Sequence, residues 1–130
     1  DFARLARLPS LTDFAKVEND LAYVLLAVDD DAAFARGLAL QEARLGTATL
    51  EVELAPLATT EVERRHGRLV AALRSVAARV DPRGAEAMAD YRLALLRYAA
   101  HTLGFDESSL RQRRLALFAC ARLAGLVAAA

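Results

Sequence analysis

Tryptophan and isoleucine are absent from this sequence of 130 residues, and cysteine, methionine and lysine occur once each, as Cys120, Met88 and Lys16. A single cysteine excludes an internal disulfide, and with no C-x-x-C partner it excludes a cysteine-based zinc site. Cys120 lies in an apolar run and reads as a small buried hydrophobe. Glycines are six and prolines three, without a glycine-rich phosphate loop, and neither H-E-x-x-H nor G-x-S-x-G occurs. The longest nearly uncharged run, Leu115 to Ala130, is broken by Arg122 and falls short of the ~20 apolar residues of a transmembrane span. Neither sign of charge is in excess. Seventeen basic and 17 acidic residues cancel, so no global field recruits nucleic acid or an anionic membrane.

What is present points to a packed helical domain. Hydrophobic residues make up 55% and charged residues 26%, a globular balance, and the length suits one domain spanning residues 1–130. Arginine standing in for lysine, with abundant alanine, fits a GC-rich bacterial genome. No signal-peptide pattern is visible, and the chain starts at Asp1 rather than methionine. A trimmed export precursor and a piece of a longer chain both fit that start, and the compartment is left unassigned.

Hydrophobic spacing of three and four residues predicts an all-α antiparallel bundle of about five helices, roughly 11–28, 31–54, 61–80, 82–103 and 107–128. Asp1 to Pro9 is a lead-in carrying Arg4 and Arg7. Ser10 with Asp13 forms a capping-box pattern, and the first helix carries the seam Leu11, Phe14, Glu18, Leu21, Leu25 and Val28. Asp29, Asp30 and Asp31 make a turn whose last member can cap the second helix. They lack the alternating ligands, glycine and terminal glutamate of an EF-hand loop. Pro56 is expected to end the second helix near Leu54.

That second helix is expected to carry two apolar lines on opposite faces. Phe34, Leu38, Gln41, Leu45, Ala48 and Val52 form one, and Leu40, Ala43, Thr47, Leu50 and Leu54 the other, with Arg44 and Glu51 on a flank between them. A surface helix needs one stripe. The second line is therefore core or interface, and Leu40, Ala43, Thr47, Leu50 and Leu54 are the candidate interface residues.

Thr60 and Glu63 form the strongest helix start, followed by the seam Val62, His66, Leu69, Leu73, Val76 and Val80. Asp81 and Pro82 are expected to end that helix and begin the fourth as N-cap and first residue. The fourth carries Ala85, Met88, Ala89, Leu93, Leu96, Ala100 and Leu103 on its core stripe, with Glu86, Asp90, Arg97 and His101 outside. Gly104 is expected in a left-handed cap. Asp106 or Ser108 is expected to cap the fifth helix, whose opening arginines Arg111, Arg113 and Arg114 oppose the helix macrodipole and need another partner or solvent.

Among candidate sites, Glu63 and His66 form an E-x-x-H. In ferritin-like di-iron bundles two such motifs and two further glutamates build the metal site. Glu18 could supply a carboxylate here, and Glu42 another, but a second E-x-x-H is missing. Glu18, Glu63 and His66 are thus the alternative metal set, against the reading in which Glu18 and His66 are polar core members that find partners or change protonation state. Two basic faces, Arg64, Arg65 and Arg68 and then Arg111, Arg113 and Arg114, lack stacking aromatics and a recognition helix, and no nucleic-acid partner is expected. His66 and Cys120, the one conceivable base and nucleophile pair, both lie at apolar positions. No catalytic residue and no cofactor is expected. The function expected is therefore non-catalytic protein contact, with the chain itself or with another subunit. An incomplete ferritin-like metal bundle is the alternative, and an apolar ligand between the helices a weaker one.

Overall fold

The computed structural model describes residues 10–130; the lead-in of Asp1 to Pro9 lies outside the described residues. Five α-helices follow in order: α1 Leu11–Asp20, α2 Asp31–Leu45, α3 Glu61–Val80, α4 Ala85–Thr102 and α5 Leu110–Ala128. A π-helical turn, Leu21–Leu25, extends α1, and a 3-10 turn, Ala55–Leu57, precedes α3. Among the described residues there is no strand. The all-α bundle is thus the architecture the spacing predicts, with α1 packed on α4 and α3, and α5 on α4 and α2.

Local chemistry explains where the helices begin. The Asp13 carboxylate accepts the Ser10 amide at 2.8 Å. Asp30, rather than Asp31, caps α2 by accepting the Ala33 amide at 2.7 Å. Thr60 Oγ1 accepts the Glu63 amide while Glu63 Oε2 accepts that of Thr60, both at 3.2 Å, and α3 runs over its full expected length. Ser109, not Asp106 or Ser108, caps α5 by accepting the Gln112 amide at 3.1 Å.

Several boundaries differ from expectation. The first helix stops three residues early, and Leu26 and Val28 reach the core from the connection that follows. Asp81 and Pro82 end α3 without starting α4, whose N-cap is Gly84 at φ 70 and ψ −117, a backbone region open essentially to glycine. Gly104 has no positive φ.

The largest difference is in α2, which ends at Leu45 with Gly46 as its C-cap. Leu50 and Leu54 nevertheless reach the interior, from the irregular chain of residues 46–54 rather than from a helix. The second apolar line accordingly becomes core. Leu40, Leu50 and Leu54 are buried, Ala43 and Thr47 half-buried, and Leu40 and Leu54 pack with Val70 of α3. The main core joins Ala15, Tyr23, Leu45, Met88, Tyr91, Leu95, Leu115 and Leu123. On α4 the inward stripe is Ala87, Met88, Tyr91, Leu95, Ala99 and Thr102, leaving Leu93 exposed, because Tyr91 is drawn inward by the polar cluster described next.

Candidate functional site

Glu18 on α1 is completely buried at the centre of a charged cluster. Its Oε1 accepts from Arg44 Nη1 of α2 and Arg74 Nη2 of α3, each at 2.8 Å, and its Oε2 accepts from Arg74 Nε at 2.8 Å. The Tyr91 hydroxyl of α4 donates to the same Oε2. Arg44 also donates to the Tyr23 hydroxyl at 3.0 Å, and Arg74 to Thr47 Oγ1 at 3.1 Å. One carboxylate thus ties four helices together.

Burial alone would raise the Glu18 pKa, but the Arg74 and then Arg44 guanidiniums outweigh it and hold the carboxyl down at about 2. Burial raises the pKa of both Tyr23 and Tyr91, so both phenols stay protonated at neutral pH. Two guanidiniums face one carboxylate, so every lone pair of Glu18 is spoken for and no position remains on it for a metal. Desolvating the charges offsets most of their attraction, so the intact cluster adds little net stability, whereas removing one member strands the others and is costly.

Glu63 and His66, although one turn apart on α3, serve different purposes. Glu63 completes the capping box, accepts the Thr59 amide at 2.8 Å and pairs with Arg36 Nε at 2.6 Å. Those contacts lower its pKa despite burial. His66 turns inward beside Gln41 and Arg44, with which it shares a cavity with room for about one water. Burial, then the Arg44 charge, lowers its pKa from 6.5 to about 4, against a smaller opposing pull from Glu18. Among the described residues no group of three His, Cys, Asp or Glu side chains is placed to hold a metal ion. The structure therefore does not gather Glu18, Glu63 and His66 into one ligand set.

A pH dependence follows. The unfolded imidazole takes a proton near pH 6.5 and the folded one only near pH 4, so the unfolded state binds more protons in between and stability falls as pH drops through that window. The loss approaches about 3 kcal/mol at its lower end. Urea midpoints at pH 7 and pH 4.5 should differ for the native chain, and His66→Leu should flatten the difference; an unchanged slope would show that another group is responsible.

Arg44, Arg74, Tyr23 and Tyr91 escaped the sequence reading. Arg44 reads as a flank charge while α2 is drawn through to Leu54, and Arg74 stands one position beyond Leu73 of the expected seam. The available signal was the line Gly67, Val70, Arg74 and Ala77, three small or apolar residues enclosing one arginine.

That line faces inward with Glu63 and His66, which turns most of the expected α3 seam outward. Val62 is 58% exposed, Leu69 55%, Val76 38% and Val80 48%. No other α-helix shows more than two exposed large apolar residues among the described residues. The basic residues have separate explanations. Arg111 ties α5 to the Asp29 carbonyl at 2.8 Å and the Asp31 carboxylate at 3.0 Å, whereas Arg65 and Arg68 stand exposed along α3. Cys120 is half-buried, and burial raises its pKa. No helix is long and apolar enough to cross a membrane among the described residues.

Fold and site together define an all-α bundle pinned by an internal ion cluster, with one helix presenting apolar side chains outward. No protein-family model matches the chain, and no curated protein or solved structure matches it significantly.

Proposed function

We propose that this chain is a non-catalytic helical-bundle domain that works by protein contact, and that α3 supplies the contact face. The observation that carries this reading is the row Val62, Leu69, Val76 and Val80, left in solvent on a helix whose opposite side is fully used. Scattered apolar residues on a surface are ordinary, whereas four aligned on one face of one helix support a place where another molecule excludes water. The buried polar groups support the same reading from the other side. Glu18 spends its hydrogen bonds on Arg44, Arg74 and Tyr91, and the two arginines theirs on Glu18, Tyr23 and Thr47, which leaves them unsuited to acid-base or nucleophilic work. The metal-binding alternative gains no support from residues so engaged.

Native mass spectrometry of protein isolated from its own cells without a metal-binding tag tests this. A second subunit, of this chain or another, that is lost on Leu69→Ser with Val76→Ser would support it. Both positions are exposed, so the double variant should unfold within about 0.5 kcal/mol of the native chain. A bare monomer, or a monomer carrying a metal or small ligand, would overturn the reading.

A further inference from the structure

We infer that the outward face of α3 takes an acidic amphipathic helix from a different protein. This inference rests on the contact reading above and adds the chemistry of the partner. At 100° per residue, Val62, Leu69, Leu73, Val76 and Val80 fall on a stripe about 60° wide. The chain itself closes one edge of that stripe, where Glu63, His66, Val70 and Ala77 turn into the interior. The other edge is open and carries Arg65, Arg68 and Arg79, all exposed.

Carboxylates are scarce along that open edge. Glu61 stands at its N-terminal end, already engaged by Arg64 at 2.9 Å and Arg65 at 3.7 Å. No carboxylate among the described residues lies within ion-pair distance of Arg68 or Arg79. An incoming surface therefore meets a seam of valine and leucine bordered by three guanidiniums, two of them without an ion pair among the described residues.

A second copy of the chain does not complement this. Val62, Leu69 and Val76 repeat every seven residues, as do Leu73 and Val80, the two columns of a heptad seam. Antiparallel pairing of two copies about the middle of α3 sets Arg65 of one across from Arg79 of the other. Parallel pairing aligns the helix dipoles and brings no carboxylate to either arginine row. Like charges facing one another oppose association. A lipid surface fits poorly as well. Helices that lie on membranes bring tryptophan, phenylalanine and leucine to a broad apolar face, while this stripe is narrow, has no aromatic residue and belongs to a helix half sunk in its own bundle. A helix with leucine or alanine on its seam and glutamate or aspartate on its flank satisfies both halves of the face. α3 has 20 residues, about 30 Å, so a partner helix of about five turns covers it.

The test uses two synthetic helical peptides of about five turns with the same leucine and alanine seam, one flanked by glutamate and one by lysine. Each is titrated into the full chain by fluorescence anisotropy at low and high salt. Flotation with phosphatidylcholine vesicles, with and without phosphatidylglycerol, runs in parallel. The glutamate peptide should bind about tenfold or more tightly than the lysine peptide, with a preference that shrinks as salt rises. Leu69→Ser should weaken it, and replacing Arg65, Arg68 and Arg79 together by glutamate should reverse the preference. Equal binding of the two peptides, binding of neither, or selective binding to phosphatidylglycerol vesicles would overturn the inference. A concentration-dependent dimer abolished by Leu69→Ser would also overturn it, while leaving the contact reading intact.

Discussion

Glu18→Gln should destabilise the fold by about 3–5 kcal/mol, the largest effect expected of any near-isosteric substitution in this chain. The amide keeps the size of the carboxyl but removes the charge that two buried guanidiniums share. Arg74 is 0% and Arg44 2% exposed, so neither can recover its solvation without opening the bundle. The Tyr91 hydroxyl, which donates to the same oxygen, loses a charged acceptor too. Arg44→Met should cost clearly less, because Arg74 with Glu18 remains as a bidentate, neutral pair. Urea denaturation followed by circular dichroism gives both numbers, and equal losses for the two variants would show that the charge count of the cluster is not what governs it. Acid titration supplies an independent reading. The folded Glu18 carboxyl protonates near pH 2 and the unfolded one near 4.5, so its stabilisation is complete above pH 4.5 and is lost as pH falls toward 2. Glu18→Gln removes that contribution over the same window.

Gly67→Ala should cost about 2 kcal/mol, although alanine is the better helix former by nearly 1 kcal/mol. A Cβ at Gly67 would stand 2.9 Å from the Ala55 amide nitrogen and 3.1 Å from the Leu54 carbonyl carbon. Those are backbone atoms of the segment that crosses α3, held by the burial of Leu54 and by the 3-10 turn that follows, so they cannot swing aside as a side-chain tip can. The natural control is Gly125 in α5, where a Cβ meets nothing within 4 Å and alanine should stabilise by about 0.5–1 kcal/mol. Thermal melts of the two variants should therefore move in opposite directions. A rise for Gly67→Ala would mean that the crossing segment yields to the added methyl.

That early end shows why periodicity misled. From Phe34 to Leu54 the spacing fits one helix with two apolar lines, and the pattern is insensitive to a break at Gly46 because Leu50 and Leu54 must point inward in either case. The break lets residues 46–54 fold back over α3, where the Leu50 carbonyl and Thr47 Oγ1 become acceptors for Arg74. The α3 seam misled for a related reason. Val62, Leu69, Val76 and Val80 are four of its five aliphatic residues and would ordinarily be buried ones. They are displaced from the interior by Arg74, which has a partner on α1 that no apolar residue could satisfy.

The sequence by itself determined the helical class, the length of α3 and the place of Glu18 as a carboxylate in an apolar line. Each of these is written along a single helix: the spacing of its apolar residues, a Thr60 and Glu63 box at one end of α3, Asp81 and Pro82 at the other. Only the tertiary structure decided which side of α3 faces the core and what holds Glu18 there. The pairing of Glu18 with Arg74 spans 56 positions of sequence, and the energy that orients both helices exists only once the two charges are buried together.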